Sequence, residues 1–382
     1  MISRFHYIQR SMSFLPTLAR SLSVAAESTS NRFKRNLLET VVPESTRDCY
    51  TTLVSATSES LLDGYLETIK EDDRLLVISN GFDGDRIAKK AVSKGIHTLW
   101  TYHSMLYPLD AEEVAQDILH HHAITHVLLV STESFTGAMT PLRQILKNAR
   151  RVRRDVCICV DNRNGYLLQP MPNTDDIIDY SIHDTHILGL NPSFGFMVAH
   201  KPAIIAESEL HPDHLLSSMY NKHMHIERMI PSVQEKYNKA MEDDAWRTLV
   251  YQYEETKAQI VNKVKLLLPA IPRGMDQSSY CACFLVPQEA ARLRELLESL
   301  KDFGIPVNHQ FMMNGLPMIS FDTAAMIEYE KKGGELLDIY KGIERVIRRR
   351  SSEFFHDSKL LKEEEQYRKK FVYGDKTTVD KS

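Results

Sequence analysis

The sequence lacks the features that mark membrane, secreted and nucleic-acid-binding proteins. No apolar run approaches the roughly 18 residues that a membrane-spanning helix requires. The formal net charge of −4 over 382 residues provides no bulk attraction to nucleic acids or anionic membranes. Only 5 cysteines are present, which indicates a reducing compartment. These absences predict a soluble globular protein without a nucleic-acid or membrane partner.

Two cysteine pairs, Cys157/Cys159 and Cys281/Cys283, lie in apolar runs. In a strand, this spacing places both sulfurs of a pair on one face. Zinc sites favour two residues between the cysteines and add histidine ligands. We therefore predict buried cysteines and no metal at these positions.

The first 26 residues contain arginines and serines but no acidic residue. This composition is typical of a mitochondrial transit peptide, whereas a secretory signal would need a longer apolar core. A disordered extension is the alternative. We expect residues 1–28 to be one or the other, and the protein to be mitochondrial or otherwise cytoplasmic.

Apolar runs alternate with helical patterns over the first half of the chain. They predict strands and intervening helices at 74–79, 83–94, 96–102, 111–121, 126–131, 141–151 and 156–161. Continuous apolar strands joined by helices indicate a mostly parallel sheet covered on both faces, which defines the α/β class. In such sheets ligands bind at the carboxyl ends of the strands, where Asn80, Glu133 and Asp161 lie.

The second half of the chain has a different pattern. A polar stretch rich in histidine and methionine, 211–228, precedes a long helical pattern over 232–268. The elements that follow predict a smaller α+β domain, with a strand at 279–286, a helix at 287–303, a strand pair at 305–321 and a helix at 333–350. The predicted divisions are an extension 1–28, a large α/β domain 29–230, a C-terminal domain 231–350 with its connecting helix, and a charged tail 351–382.

Clusters of histidines and basic residues have simpler explanations than ligand binding. Runs at 120–122, 150–154 and 348–350 each end a predicted helix, where cations complement the negative pole. Neither basic run includes aromatic residues, so we predict no nucleic-acid binding. A further group lies in a stretch that we expect to be a solvated loop without metal, and it comprises Glu207, Glu209, His211, Asp213, His214, His223 and His225.

Four segments match, in order, the motifs of one enzyme family. Residues 74–88 contain Ser-Asn-Gly-x-x-Gly-x-Arg, 126–141 contain a histidine, a glutamate and Thr-Gly-x-x-x-Pro, 160–161 read Val-Asp, and 193–196 read Ser-Phe-Gly-Phe. Together they resemble the class V aminotransferases of the pyridoxal phosphate (PLP)-dependent transferase superfamily (fold type I), and 2-aminoethylphosphonate:pyruvate aminotransferases in particular. The resemblance implies a mostly parallel, seven-stranded-type sheet and a smaller C-terminal α+β domain.

The resemblance also implies a Schiff-base lysine, but this chain has a histidine there. Counting back from residues 193–196 places His186 at the lysine position. An imidazole cannot form an imine with PLP, so this alignment argues against ordinary transamination. Lys201 lies too far along the chain to be the displaced lysine.

Three further cofactor positions are retained. In the family, the carboxylate at Asp161 keeps the ring nitrogen of the cofactor protonated. Glu133 and Thr136 also match, although Phe135 replaces a threonine. Two of the three have a structural alternative, because Asp161 could cap a turn and Thr136 could be a turn residue.

The phosphate-binding and substrate-binding positions have changed. Family members have a Gly-Ser-Gly or similar loop at a helix N-terminus, where this chain has Thr57, Ser58 and Glu59. We expect Glu59 to repel a bound phosphate by on the order of several kcal/mol, and Thr57 and Ser58 to cap a helix. Ser232 stands where the family contacts the phosphate of the neighbouring subunit. Ile319 or a neighbour replaces the arginine that binds the substrate carboxylate, and Asn308 and His309 are the nearest polar residues.

Three functions remain open. The first is a catalytically degenerate homologue that needs no cofactor and acts as a partner, a regulator or a small-molecule binder. The second is an enzyme that uses pyridoxamine phosphate (PMP) with His186 as general base. The third is an active PLP-dependent transaminase of an aminophosphonate or amino acid, with a lysine elsewhere near the ring. The resemblance implies a homodimer, or a heterodimer with an active homologue.

Overall fold

The computed structural model describes most of the chain between residues 29 and 348. The described ranges are 29–103, 109–169, 171–172, 178–190, 193–222, 230–242, 245–264, 267–269, 278–286, 290–307, 312–313 and 316–348. The predicted extension 1–28 and the charged tail 351–382 lie outside the described residues.

Seven strands form the larger sheet, in the order β1-β7-β6-β5-β4-β2-β3. They are β1 (Tyr50–Ser55), β2 (Leu75–Ser79), β3 (Thr98–Tyr102), β4 (His126–Val130), β5 (Cys157–Asp161), β6 (Tyr180–Asp184) and β7 (Gly195–His200). Strand β7 is antiparallel to both of its neighbours, and the other six strands run in one direction. The predicted mostly parallel α/β sheet is therefore confirmed.

Helices cover both faces of this sheet. After α1 (Thr29–Glu39), they are α2 (Ser58–Glu67), α3 (Phe82–Ser93), α4 (Ala111–His120), α5 (Leu142–Val152), α6 (Lys201–Leu210) and α7 (Leu215–Lys222). Side chains from α2, α3, α6 and α7 pack on one face with Leu75 and Val77, and side chains from α4 and α5 pack on the other with Leu76 and Ile78. Burial on both faces explains why these strands are continuous apolar runs.

A second, antiparallel sheet of four strands has the order β10-β11-β9-β8. Its strands are β8 (Leu268–Pro269), β9 (Cys281–Leu285), β10 (Met312–Met313) and β11 (Leu316–Asp322). The accompanying helices are α8 (Ile230–Met241), α9 (Ala245–Lys263), α10 (Ala290–Asp302), α11 (Thr323–Lys331) and α12 (Leu336–Arg348). A separate core that includes Phe284, Ile319 and Phe321 holds this unit together.

Two element predictions are wrong. The single helix expected over 232–268 is two helices, α8 and α9. The stretch 211–228, expected to be a loop, contains α7. Leu216 of α7 is fully buried in the larger core, and its side chain lies against Gly64 of α2. Met219 and Tyr220 also pack against this core, so α7 has an apolar face although the stretch as a whole is polar.

The cysteine pairs lie in strands, as predicted. Cys157 and Cys159 belong to β5, Cys281 and Cys283 belong to β9, and all four are free thiols. Within the described ranges, no group of three or more histidine, cysteine, aspartate or glutamate residues could hold a metal ion. None of the described helices is both long enough and apolar enough to cross a bilayer.

Candidate functional site

Polar residues gather where parallel strands of the larger sheet end. Asn80 follows β2, Glu133 lies shortly after β4 at the start of a turn, Asp161 ends β5, and Asp184 ends β6. Asn80, Glu133 and Asp161 are buried, although strand ends are usually close to solvent. Because the carboxyl ends of parallel strands meet at one edge, these residues line the part of the fold where α/β sheets bind ligands.

Asp161 is fully engaged by Arg163, two residues further along the chain. Arg163 Nε donates to Asp161 Oδ1 at 2.8 Å, and Arg163 Nη2 donates to Asp161 Oδ2 at 2.6 Å. Burial opposes the charge of Arg163, but Asp161 and Glu59 raise its pKa overall. Both oxygens of the Asp161 carboxylate are therefore committed to one guanidinium, in the bidentate geometry that gives strong pairs.

The same guanidinium reaches the start of α2. Arg163 Nη1 donates to Glu59 Oε2 at 2.6 Å, which creates a bridge from Asp161 through Arg163 to Glu59. Thr57 caps α2 as predicted, because its side chain accepts from the backbone N–H of Ser60 at 3.3 Å. Glu59 thus lies in the first turn of a helix, beside the positive pole that attracts anions.

Glu59 is contacted by three cations. Besides Arg163, Lys90 Nζ donates to Glu59 Oε1 at 2.6 Å and Arg86 Nη1 donates to Glu59 Oε2 at 3.0 Å. Burial alone would raise the pKa of Glu59, but Lys90, Arg86 and Arg163 lower it to about 2. The sequence prediction treated Glu59 as an uncompensated charge. In the structure, three cations compensate this charge.

A hydrogen-bonded chain links α2 to His186. Ser58 Oγ donates to Asp184 Oδ2 at 2.6 Å, so the prediction that Ser58 caps the helix is wrong. Asp184 Oδ1 accepts from the backbone N–H and from Nδ1 of His186, at 2.8 and 2.9 Å. An ionised carboxylate can only accept, so Nδ1 carries the proton and Nε2 is the basic ring nitrogen. No partner for Nε2 is found among the described residues, and the ring meets that of Tyr280 edge-on.

A second histidine, which the sequence analysis missed, is buried beneath this edge. His183 Nε2 lies 2.9 Å from Ser181 Oγ, and its Nδ1 lies 3.2 Å from Asn162 Nδ2. Its ring stacks on that of Phe196 with centroids 4.8 Å apart. Burial lowers the pKa of His183 to about 3, so the ring is neutral. Only its place in an apolar strand could have indicated this structural role.

Glu133 and Thr136 stabilise a turn. Glu133 Oε2 accepts from the backbone N–H of Thr136 at 2.7 Å and from its hydroxyl at 3.0 Å, while Oε1 accepts from the backbone N–H of Phe82 at 3.1 Å. Burial and the nearby Asp83 raise the pKa of Glu133 to about 7. Gly81 makes room for this side chain, because a Cβ there would lie 2.5 Å from Glu133 Cγ. The contacts of Glu133 and Thr136 are thus those of residues that hold a turn together, which is the structural alternative given above for Thr136.

Residues around β9 approach the same edge. Ser278 donates its backbone N–H to Gly137 O at 2.8 Å, and Lys257 Nζ donates to Ser278 O at 2.6 Å. Burial lowers the pKa of Lys257. The sequence analysis missed this lysine. Through Ser278, which contacts Gly137, it is connected to the turn at residues 133–137.

The remaining predicted positions do not join this cluster. Ile319 is fully buried in β11 opposite Phe284, with no basic residue in its place. Ser232 lies in α8, and its side chain is outside the described part of the structure, as are residues 308–309. His211 and His214 stack on each other, and His214 Nδ1 lies 2.7 Å from Glu207 Oε1; His223 and His225 are outside the described residues.

Comparison with known proteins identifies relatives over part of the chain. No family model matches it. A 2-aminoethylphosphonate–pyruvate transaminase of Lysinibacillus sphaericus is 30% identical over 152 residues, 38% of this chain and 40% of that protein. One of Vibrio cholerae is 33% identical over 129 residues, 33% of this chain and 34% of that protein. The chain thus spans two fifths or less of the length of these relatives.

Solved structures share the fold over nearly the whole chain. A ureidoglycine–glyoxylate aminotransferase from Bacillus subtilis superposes with a TM-score of 0.64 and 17% identity, covering 90% of both chains. An alanine–glyoxylate aminotransferase from Nostoc has a TM-score of 0.64 and 15% identity, covering 84% of this chain and 86% of its own. At these identities the likeness shows the fold alone.

Proposed function

We propose that this homologue of the 2-aminoethylphosphonate–pyruvate transaminases, which has the PLP-dependent aminotransferase fold, does not catalyse transamination. The observation that supports this most strongly is the bridge from Asp161 through Arg163 to Glu59. It occupies both ends of the region where the resemblance implies that a cofactor would bind. The protein would then act as a partner subunit, a regulator or a binder of another small molecule.

At the ring end of this region, Arg163 would compete with the ring nitrogen of PLP for Asp161. In the family, an aspartate at the position of Asp161 pairs with the ring nitrogen of the cofactor. Here each carboxylate oxygen already accepts a hydrogen bond from Arg163. Releasing Arg163 would leave a carboxylate that is only 3% exposed without its partner, and breaking a buried pair costs about 3–5 kcal/mol.

The phosphate end does not fit either. A phosphate at the start of α2 would have to replace the Glu59 carboxylate, which contacts Arg86, Lys90 and Arg163. Without that replacement, two anions would share a few ångströms of partly buried space. Arg86, Lys90 and Arg163 therefore pair with the Glu59 carboxylate in place of a phosphate, and we propose that the protein carries no PLP.

Transamination with PLP also requires the amine of a lysine, which forms the imine with the cofactor. By the alignment, His186 stands at the lysine position, and its Nδ1 is held by Asp184. Lys90 pairs with Glu59 and Asp63, and Lys257 donates to the Ser278 carbonyl. Lys257 is the more serious candidate for a displaced lysine, because burial lowers the pKa of its amine.

One alternative has a specific observation in its favour. Asp184 and His186 form a carboxylate–imidazole pair that directs Nε2 away from Asp184, as a general base requires. An enzyme that uses PMP with His186 as base would need this arrangement. Calorimetric titration with PMP discriminates the two functions, since saturable binding that is lost in His186→Ala would favour the enzyme.

A chain that has this fold but does not catalyse transamination is suited to the role of a partner subunit. We propose that it forms a homodimer, or a heterodimer with an active homologue, in mitochondria. Affinity purification of the tagged protein from its own cells, followed by mass spectrometry, tests this. An aminotransferase recovered in equal amount would support the heterodimer, and a self-associated chain alone would leave only the homodimer.

The proposed lack of transamination is tested with 2-aminoethylphosphonate, pyruvate and PLP. We expect no alanine formation above the protein-free reaction and no aldimine absorbance. The matched variant is Lys257→Ala, which should behave like the wild type. Turnover by the wild type that Lys257→Ala abolishes would contradict the proposal and identify the displaced lysine.

A further inference from the structure

One side of the larger sheet ends in an exposed apolar strand. β3 is last in the strand order, and among the described strands it pairs with β2 alone. Its five residues, Thr-Leu-Trp-Thr-Tyr, include no charge and no proline. Proteins usually protect such edges with charged residues, prolines or covering segments, because an open edge can pair with another chain. The sequence of β3 contains neither of the residue types that prevent edge pairing.

Three large side chains of β3 are exposed to solvent. Leu99, Trp100 and Tyr102 are 42%, 43% and 41% exposed, and Val92 of the neighbouring α3 is 51% exposed. Trp100 is paired with Val77 of β2, so it lies on the face of the sheet that α3 covers, whereas Leu99 lies on the opposite face. Both faces of the sheet are therefore apolar and accessible along this edge.

The hydrogen bonds between β2 and β3 show which backbone groups of β3 are directed outward. Leu75 donates its N–H to His97 O at 3.0 Å, and His103 donates its N–H to Ser79 O at 2.7 Å. Alternate residues of a strand direct their backbone groups to the same neighbour, so the odd-numbered residues of β3 face β2. The N–H and C=O groups of Trp100, in the middle of the strand, are therefore directed away from the sheet.

We propose that β3 pairs in antiparallel orientation with β3 of a second copy of this chain, which joins the two larger sheets into one. Trp100 is the central residue of the strand, so pairing over its full length places Trp100 opposite its own copy. The two tryptophans then exchange backbone hydrogen bonds, and Leu99 lies opposite Thr101. Aromatic side chains that lie opposite each other stabilise paired strands. This inference goes beyond the proposed function, because it concerns the side of the sheet and not the strand ends.

The charges beside β3 favour the antiparallel orientation. Before the strand, Lys89 is exposed and Lys94 pairs with Asp63 at 2.9 Å. After it, Glu113 and Asp117 contact the histidine that follows the strand, at 3.5 and 3.1 Å. Antiparallel self-pairing brings the basic start of one strand beside the acidic end of the other, whereas parallel pairing would bring like charges together. Exposed ion pairs contribute little free energy, so these charges select the orientation and the strand itself provides the affinity.

The size of this edge determines the strength of the association. Stable interfaces bury about 1,200–2,000 Å² in total, and a strand of five residues provides a small contact by comparison. We therefore expect a reversible association that depends on protein concentration. It would add to any dimer that the chain forms through another surface, and would then produce a dimer of dimers.

Sedimentation velocity over a range of protein concentrations tests the pairing. Trp100→Lys places two like charges opposite each other, so we expect the Kd of self-association to rise about ten-fold or more. The control is Tyr251→Lys, which changes a 63% exposed residue of α9 and should alter the Kd by less than about three-fold. Thermal unfolding shows whether each variant is folded.

Mixing two charged variants tests the register. Trp100→Glu alone should associate as weakly as Trp100→Lys. An equimolar mixture of the two should regain the association of the wild type, because residue 100 lies opposite itself and the unlike charges attract.

Disulfide cross-linking is a second measurement that does not depend on charge. In the Cys49→Ser background, which removes the exposed native thiol, Trp100→Cys should form a covalent dimer on oxidation. The paired Cα atoms would be about 5.5 Å apart, within the range of a disulfide. The matched control is Leu99→Cys, which is equally exposed but would lie about 7–8 Å or more from its own copy and should cross-link more slowly.

The inference is overturned if the wild type shows no concentration-dependent association, or if Trp100→Lys associates as strongly as the wild type. A mixture of the Lys and Glu variants that associates no better than either alone would also overturn it, as would equal cross-linking of Leu99→Cys and Trp100→Cys. None of these results bears on the proposed lack of transamination, which depends on lysine chemistry and turnover.

Discussion

Arg163 connects two acidic residues at the carboxyl edge of the larger sheet. Its guanidinium neutralises Asp161 and extends to Glu59, so two acidic groups from distant parts of the sequence share one cation. The sequence shows Asp161 and Arg163 two residues apart after a strand, which also suits a simple turn. The connection to Glu59 spans 104 positions and could not be predicted from local pattern.

Substituting Arg163 should destabilise the fold. Arg163→Ala leaves Asp161 buried without its partner, so we expect a loss of about 3–5 kcal/mol in the free energy of unfolding. The measurement is urea denaturation, with Arg151→Ala as the control. Arg151 pairs with Glu112 at the surface, both more than half exposed, and should cost less than about 1 kcal/mol. Equal losses would show that the Asp161–Arg163 pair is not structurally important.

His183 predicts a dependence of stability on pH. Burial lowers its pKa in the folded state to about 3, while the unfolded value is 6.5. The unfolded chain therefore takes up the proton first as the pH falls. This contribution to stability is complete above pH 6.5 and is lost as the pH falls towards about 3, at up to about 1.4 kcal/mol per pH unit.

Urea denaturation of His183→Gln at several pH values isolates this effect. Glu133, whose pKa burial raises to about 7, contributes in the opposite direction in both proteins, so the difference between them is the informative quantity. The exposed His97 provides a control, and His97→Gln should follow the wild type. A variant whose stability changes with pH as steeply as that of the wild type would contradict the buried, neutral assignment.

Among the secondary-structure elements, the packing of α2 against β7 determines where Ser58 and Glu59 lie. Gly195 allows this contact, because a Cβ there would lie 2.4 Å from Ser58 Cα and backbone N. The sequence predicted most strands of the larger sheet, since burial on both faces makes them apolar runs. It predicted a helix cap at Thr57 and Ser58, but it did not predict the half-polar edge strand β1, the strands β6 and β7, or the helix α7.

Gly195→Ala should displace α2. We expect destabilisation by about 1–3 kcal/mol from overpacking against backbone, measured by thermal or urea denaturation. Gly95→Ala is the comparison, because nothing lies within 4 Å of its added Cβ and only its φ of +79° is unfavourable, at about 1–2 kcal/mol. In Gly195→Ala, hydrogen exchange in α2 should also become faster. Unchanged protection of α2 would refute the packing argument.

At the scale of the whole molecule, the two sheets together border the site. Tyr253 of α9 donates to Ile187 O at 2.6 Å, and Tyr280 meets His186 edge-on. These contacts join the second sheet and its helices to the segment that carries His186. The fold of an aminotransferase is thus retained around an edge whose acidic and basic groups satisfy one another. We therefore propose that PLP does not form an imine with a lysine of this protein.

Borohydride reduction in the presence of pyridoxal phosphate, followed by intact-mass measurement, is the decisive experiment for this proposal. Reduction converts any imine between a lysine and the cofactor into a stable adduct. We predict an unchanged mass for the wild type and for Lys257→Ala, with no site-specific adduct after digestion. A stoichiometric adduct on a single lysine of the wild type would contradict the account.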